Sequence, residues 1–223
     1  MTVIEAVLFD IDGTLISSGG ASHVSWQRAF EELHGVGSDI DEYTNPGMTD
    51  PEVGRLAFAG ALGREPTQRE LAQLMAHRLA HLGDAVAESR GYRVMPGVES
   101  TLTGMVERGL LLGLTTGNVE AAAHIKLARA NLNRFFSFGG YGSDSTDRTE
   151  LTRRALERGA LVSGGTLEPS RCVAVGDTPL DIEAGHGAGI RVIGVATGSF
   201  SVDQLHAAGA DHVLGTLEHS FPL

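Results

Sequence analysis

Four consecutive apolar residues, Ala6-Val7-Leu8-Phe9, stop abruptly at Asp10-Ile11-Asp12-Gly13-Thr14, and the same arrangement recurs along the chain. The run at 110–114 ends in Thr115-Thr116-Gly117-Asn118, and Cys172-Val173-Ala174-Val175 ends in Gly176-Asp177-Thr178-Pro179. Short runs with no polar alternation read as strands buried on both faces, which is the habit of parallel sheets. Val192-Ile193-Gly194-Val195 is a fourth such run, Phe135-Phe136-Ser137-Phe138 a fifth and His212-Val213-Leu214 a last, weaker one.

Helical patterns lie between the strands, at 98–108, 119–132, 150–161, 180–187 and 202–208. Asn118 suits an N-cap for the second, and Pro179 suits the opening of the fourth. Alternation of strand and helix predicts an α/β fold, a Rossmann-like parallel sheet with right-handed crossovers and helices on its faces. The first strand and the next are some hundred residues apart, whereas a βαβ unit needs about 30. The surplus carries helical patterns at 22–33, 51–62 and 67–82, so it is expected to be an inserted helical cap. The expected division is a core of 1–16 and 94–223 and a cap of 17–93. Ser17-Ser18-Gly19-Gly20 and Gly91-Tyr92-Arg93 are the candidate hinges, and Arg90-Gly91-Tyr92-Arg93 reads as a solvated connector.

Ligands of open parallel sheets bind outside the carboxyl ends of the strands. The groups expected there are Asp10, Asp12, Thr116, Asp177 and, one helical turn on, Asp181. Four carboxylates at one edge repel one another, and a divalent cation resolves that repulsion. Carboxylates without His or Cys suit Mg²⁺. Gly13 and Gly117 let backbone N–H groups approach an anion near helix starts, and Thr116 can donate to a phosphate oxygen. The first carboxylate of Asp-Ile-Asp can attack phosphorus. The second, two residues on and on the same face, can serve as general acid and base.

These segments resemble the motifs of the haloacid dehalogenase-like superfamily, in particular its helical-cap phosphatases of the phosphoglycolate phosphatase-like group. Asp10-Ile11-Asp12-Gly13-Thr14 is similar to the first motif, Thr116 to the second and Gly176-Asp177-Thr178-Pro179-Leu180-Asp181 to the fourth. The resemblance implies sheet order 5-4-1-2-3, with Asp10 as nucleophile and Asp12 as acid/base. It also implies Mg²⁺ on Asp10, the Asp12 carbonyl and Asp177, with Asp181 a further candidate. Gly13, Thr116, Gly117 and Asn118 are the expected phosphate-binding residues.

The family's third motif usually carries a lysine, and here the sequence departs from it. Of the 17 basic residues only Lys126 is a lysine. Counted from Asn118, Lys126 lies about 12 Å along its helix, which predicts a surface or packing role. Arg148, in Asp147-Arg148-Thr149, is the expected substitute, binding phosphate and holding Asp10. In the cap, Gly47-Met48-Thr49-Asp50 is a candidate substrate-facing loop, with His23, Trp26 and Arg55 as further candidates. His77 and His81 share a helical face but lack an apparent third ligand.

The expected function is a Mg²⁺-dependent phosphatase of a small phosphorylated metabolite. The alternatives are a β-phosphoglucomutase-like phosphomutase and a non-catalytic binding member. A net charge of −11 over 223 residues and 5% aromatic content argue against nucleic acid. No apolar run approaches a membrane span. Met1-Thr2-Val3-Ile4-Glu5 lacks the features of a signal peptide, and a lone cysteine, Cys172, excludes an internal disulfide. A cytoplasmic monomer or homodimer is expected.

Overall fold

The computed structural model describes residues 4–219, 221 and 222. Met1–Val3, on which part of the N-terminal reading rests, lie outside the described residues. The core is a parallel sheet built on β1 (Ala6–Phe9), with β4 (Leu111–Thr116) on one side and β6 (Cys172–Gly176) on the other. Outside these lie β5 (Phe138–Tyr141) on the β4 side, and β7 (Arg191–Val195) and β8 (His212–Leu214) on the β6 side. In chain order of the core strands this is 6-5-4-1-2-3. The expected order of five is intact, and the weak final run adds a sixth strand at the edge.

Burial on both faces explains the continuous apolar runs. Val7 and Phe9 point into one hydrophobic cluster, and Ala6 and Leu8 into another. The first cluster is covered by α4 (Val98–Glu107) and α5 (Glu120–Ala128). The second is covered by α6 (Arg148–Ser163), α7 (Pro179–Gly187) and α8 (Val202–Ala207). Phe9 is fully buried, and sequestering a side chain of that size contributes roughly 2–3 kcal/mol. Cys172 is buried in the second cluster, and burial pushes its thiol up to about 11, which keeps it inert.

Two local expectations are corrected. The fifth strand is not 135–138 but Phe138–Tyr141. Leu132–Phe135 is a 3-10 turn that presents Leu132 to the sheet's first cluster, with Phe135 and Phe136 packed against that cluster. Aromatic content had marked the segment that leads into the strand. The helix expected over 119–132 runs only over Glu120–Ala128, with Val119 at its N-cap. Asn118 caps nothing there, because its side chain is engaged elsewhere.

Residues 21–88 supply α1 (Ala21–His34), α2 (Asp50–Leu62) and α3 (Gln68–Glu88). Trp26, Phe30, Phe58 and Leu74 form a separate apolar centre among these helices. A two-stranded antiparallel ribbon, β2 (Ile16–Ser17) with β3 (Arg93–Val94), joins them to the sheet. Ala21, Leu82 and Val86 pack directly on Val119 and Ala122 of the α5 region. Among the described residues, no helix is long and apolar enough to cross a membrane.

Candidate active site

Register fixes what meets at the sheet's carboxyl edge. Phe9 lies opposite both Leu114 and Val175, so Asp10, Thr116 and Asp177 all emerge within two residues of one line. They open into a cavity of about 450 Å³ between the sheet edge and the α1–α3 layer. Asp10, Asp177 and Asp181 are buried, with carboxylate oxygens within 4.8 Å of one another.

That proximity has an electrostatic cost. Burial, reinforced by Asp181, raises Asp10 to about 7. Burial, reinforced by Asp10 and Asp181, raises Asp177 to about 9. Arg148, the first residue of α6, is the cation against this cluster. Its Nη2 bonds Asp181 Oδ1 and lies 3.5 Å from Asp10 Oδ1. Burial opposes the charge of Arg148, but Asp181 and Asp10 outweigh it and hold the guanidinium above its usual range. One cation facing three carboxylates leaves a deficit of positive charge. Oxygen-only, buried and under-neutralised, the cluster fits a hard divalent ion. Asp181 is the least free of the three. It completes a capping box on α7, accepting from Thr178 N at 3.0 Å and Thr178 Oγ1 at 2.7 Å. Asp177 accepts from Thr14 Oγ1 at 3.0 Å. Gly13 has φ +86, and a Cβ there would collide with the Asp177 carboxylate, so the turn after β1 tolerates only glycine.

Asp12 occupies a different environment. Its Oδ2 accepts from Lys126 Nζ at 2.6 Å and from Asn118 Nδ2 at 2.8 Å. Lys126 also donates to Asn118 Oδ1 at 2.6 Å. Burial pushes the Asp12 carboxyl up, but Lys126 and Asn118 overcome it and hold the group below the usual range. Two carboxylates two residues apart are therefore driven in opposite directions.

The expectation for Lys126 is overturned by this geometry. Its side chain is 3% exposed and reaches the site. The helix begins at Glu120, so Lys126 is about 9 Å along it rather than 12. Helical side chains lean toward the N-terminus, and Asn118 and Asp12 sit over that end. One signal was available in the sequence: Asn118 and Lys126 are eight residues apart, close to two helical turns.

Thr116 is fully buried, and its Oγ1 accepts from Asn118 Nδ2 at 2.9 Å and from Asn118 N at 3.3 Å. Among the described residues no acceptor takes its hydroxyl hydrogen, and Thr116 lines the cavity. Asn118 is thus a hub joining Thr116, Asp12 and Lys126. Gly117 is approached by the 47–50 loop so closely that a Cβ would strike Met48 O at 2.5 Å. Asp50 N–H donates to Gly117 O at 2.7 Å, and Arg148 Nη1 donates to Gly47 O at 2.7 Å. The loop singled out in the sequence does line the cavity. Of the other candidates in these helices, Trp26 is core and Arg55 pairs with Glu65 at 2.9 Å on the surface. His23 sits beside exposed Asp39 and Asp41. His77 and His81 share Glu32 of α1 as a partner that the sequence did not reveal. Arg93, read as part of a connector, lines the cavity.

The profile of the haloacid dehalogenase-like hydrolases matches residues 4–189, a range that includes Asp10, Asp12, Thr116, Asn118, Lys126, Arg148, Asp177 and Asp181. The chain belongs to that family. A phosphoglycolate phosphatase of Pseudomonas putida is 28% identical over 88% of this chain and 71% of its own length. One from Rhodospirillum rubrum is 29% identical over 92% and 85%. A pyrophosphatase of Oceanobacillus iheyensis is 23% identical over 95% and 92%. Among solved structures, CbbY from Rhodobacter sphaeroides in complex with phosphate superposes with a TM-score of 0.76. It shares 22% identity and is covered over 96% of this chain and 95% of that one, a likeness that shows the fold. The fold class, the family and the hydrolase class expected from the sequence all hold, and these curated relatives are phosphatases.

Proposed function

We propose that this hydrolase is a Mg²⁺-dependent phosphatase that cleaves a small phosphomonoester through an aspartyl-phosphate on Asp10. The observation that carries the reading is the opposed pair Asp10 and Asp12. Asp10 stands in the acidic cluster, raised to about 7, while Asp12 is held low by Lys126 and Asn118 outside it. The names of the curated relatives support the substrate class. Residues 17–93 form the proposed cap, closing the site over substrates of limited size.

Asp10, Asp177 and Asp181, with the Asp12 carbonyl, would hold the metal. When bound, Mg²⁺ supplies the positive charge that keeps those carboxylates ionised beside phosphoryl oxygens. An Asp10 oxygen attacks phosphorus, and the bond from phosphorus to the ester oxygen breaks. Thr116, Arg148 and the amides near Gly117 bind the equatorial oxygens, so their charge meets donors already in place. A phosphate dianion entering beside Asp12 raises its pKa, so Asp12 takes up a proton from solvent as substrate binds and gives that proton to the leaving oxygen. Asp12 then takes a proton from a water that attacks phosphorus, and the acyl-phosphate bond breaks to release phosphate and Asp10. Among the described residues no hydrogen bond occupies Asp12 Oδ1, which leaves that oxygen for both transfers.

The test is turnover of p-nitrophenyl phosphate and of a phosphorylated-metabolite panel, with and without chelator. Turnover that stops in chelator and returns with Mg²⁺, with free phosphate as product and an acid-stable adduct on Asp10, is expected. Full activity in chelator, or an adduct on another residue, overturns the reading. An isomeric sugar phosphate in place of free phosphate would identify a phosphomutase.

A further inference from the structure

The cavity is lined by three cations, and two of them are already committed. Lys126 is held by Asp12 and Asn118, and Arg148 by Asp181, Asp10 and the Gly47 carbonyl. The side chain of the third, Arg93, makes no hydrogen bond or ion pair with any described residue. It is exposed, and it sits on the β2–β3 ribbon opposite Ser17, which also lines the cavity. In a chain with 28 acidic and 17 basic residues, acidic partners are plentiful, and most other arginines have one. Ribbon pairing fixes the Arg93 backbone, with Ile16 opposite Val94 and Ser17 opposite Arg93. The Arg93 backbone is thus held at the cavity wall, and its side chain is left free to meet a ligand there.

We infer that Arg93 is a specificity residue that binds a second anionic group of the substrate, so the preferred substrate is a small phosphomonoester carrying a carboxylate or a second phosphate. This inference rests on the phosphatase reading for the first phosphoryl group and adds the chemistry of the substrate's other end. A guanidinium matches both anions because each offers paired acceptor oxygens to its fork of N–H donors. The volume of about 450 Å³ suits a metabolite of a few carbons spanning the two positions. Near the same wall Gly19 and Gly20 lead into α1, whose first turn carries no acidic side chain to repel such a group.

Binding of non-hydrolysable analogues separates this inference from catalysis. In Mg²⁺, calorimetry on the full chain would compare 3-phosphonopropionate and propane-1,3-bisphosphonate with propylphosphonate, whose tail is neutral. The wild-type protein is expected to prefer each doubly anionic analogue by about tenfold or more, the effect of one charge-assisted contact. Arg93→Gln should abolish that preference ratio, and Arg93→Lys should retain most of it. The relative size of the two preferences tells whether the tail is a carboxylate or a phosphate. A ratio in Arg93→Gln within twofold of wild type overturns the inference, whether both affinities fall together or neither does, and so does a wild-type protein without preference. Turnover is read separately. Discrimination by Arg93 without hydrolysis of any phosphoester would sink the phosphatase reading alone, and hydrolysis without discrimination would sink this inference alone.

Discussion

Lys126→Met removes the cation nearest to Asp12 while keeping an unbranched side chain of similar length. The lost contact is a 2.6 Å charge-assisted bond to Asp12 Oδ2, together with a 2.6 Å bond to Asn118 Oδ1. Lys126 is 3% exposed, but the Asp12 side chain is 39% exposed, so water partly compensates the carboxylate. A hydrogen bond to a charged group contributes about 1.5–3 kcal/mol, and the exposure of Asp12 places this one toward the lower half. About 2 kcal/mol corresponds to roughly 30-fold in kcat/KM. The Asp12 carboxyl should also move upward, because burial would be opposed only by Asn118 and Arg78. The assay pairs the pH dependence of kcat/KM with a ¹³C titration of the Asp12 carboxyl, on protein whose thermal unfolding is checked. A loss below about threefold with an unmoved Asp12 titration would refute the reasoning and return Lys126 to a packing role.

Arg148→Ala should lower kcat/KM by at least about 100-fold, roughly 3 kcal/mol, because among the described residues it removes the only cation paired with Asp10 and Asp181. Arg148→Lys should recover part of that loss, measured at saturating Mg²⁺. Asp12→Asn should cost about 10²–10⁴-fold in kcat, and rapid acid quench should show which half-reaction slows. Stability of the metal-free protein should fall as pH rises from about 4 to 9. Asp10 and Asp177 are raised from 3.8 to about 7 and about 9, so across that window the folded state holds protons that the unfolded chain has released. Scanning fluorimetry in chelator should show a declining Tm that Mg²⁺ restores most at the alkaline end, and a flat Tm would show that the cluster is not strained.

Much of the site was legible because its residues sit where strand periodicity ends. Asp10, Thr116 and Asp177 each follow an apolar run, and parallel pairing brings such run ends to one edge whatever the intervening chain does. What failed depended on where helices begin. Counting from Asn118 puts Lys126 out of reach, whereas the helix begins at Glu120, and those two residues are enough to bring an extended lysine to the site. Arg93 was missed for a different reason. An exposed arginine beside Gly91 has no periodicity to place it, and its relation to the cavity comes from a two-residue ribbon with Ile16 and Ser17. The Glu32 partner of His77 and His81 depended on how α1 packs against α3, which no local pattern encodes.

The contacts that close the α1–α3 layer over the sheet are made by the same segments proposed to bind phosphate. Asp50 donates its N–H to Gly117 O and accepts from Val119 N at 2.9 Å, so the start of α2 grips both sides of Asn118. The buried Asp50 carboxylate would be costly alone, but Arg78 of α3, itself fully buried over the Trp26 ring, donates to it at 2.7 Å. Arg148 completes the arrangement from below by binding Gly47 O with one nitrogen while another faces Asp181 and Asp10. Asn118 in turn orients Thr116 and Lys126. A displacement of the 47–50 loop would therefore release Gly117 and Val119, remove one of Arg148's anchors and loosen the hub that holds Asp12. Under the proposed function, closure and assembly of the catalytic groups would be one event, because both use Gly117, Asn118, Val119 and Arg148.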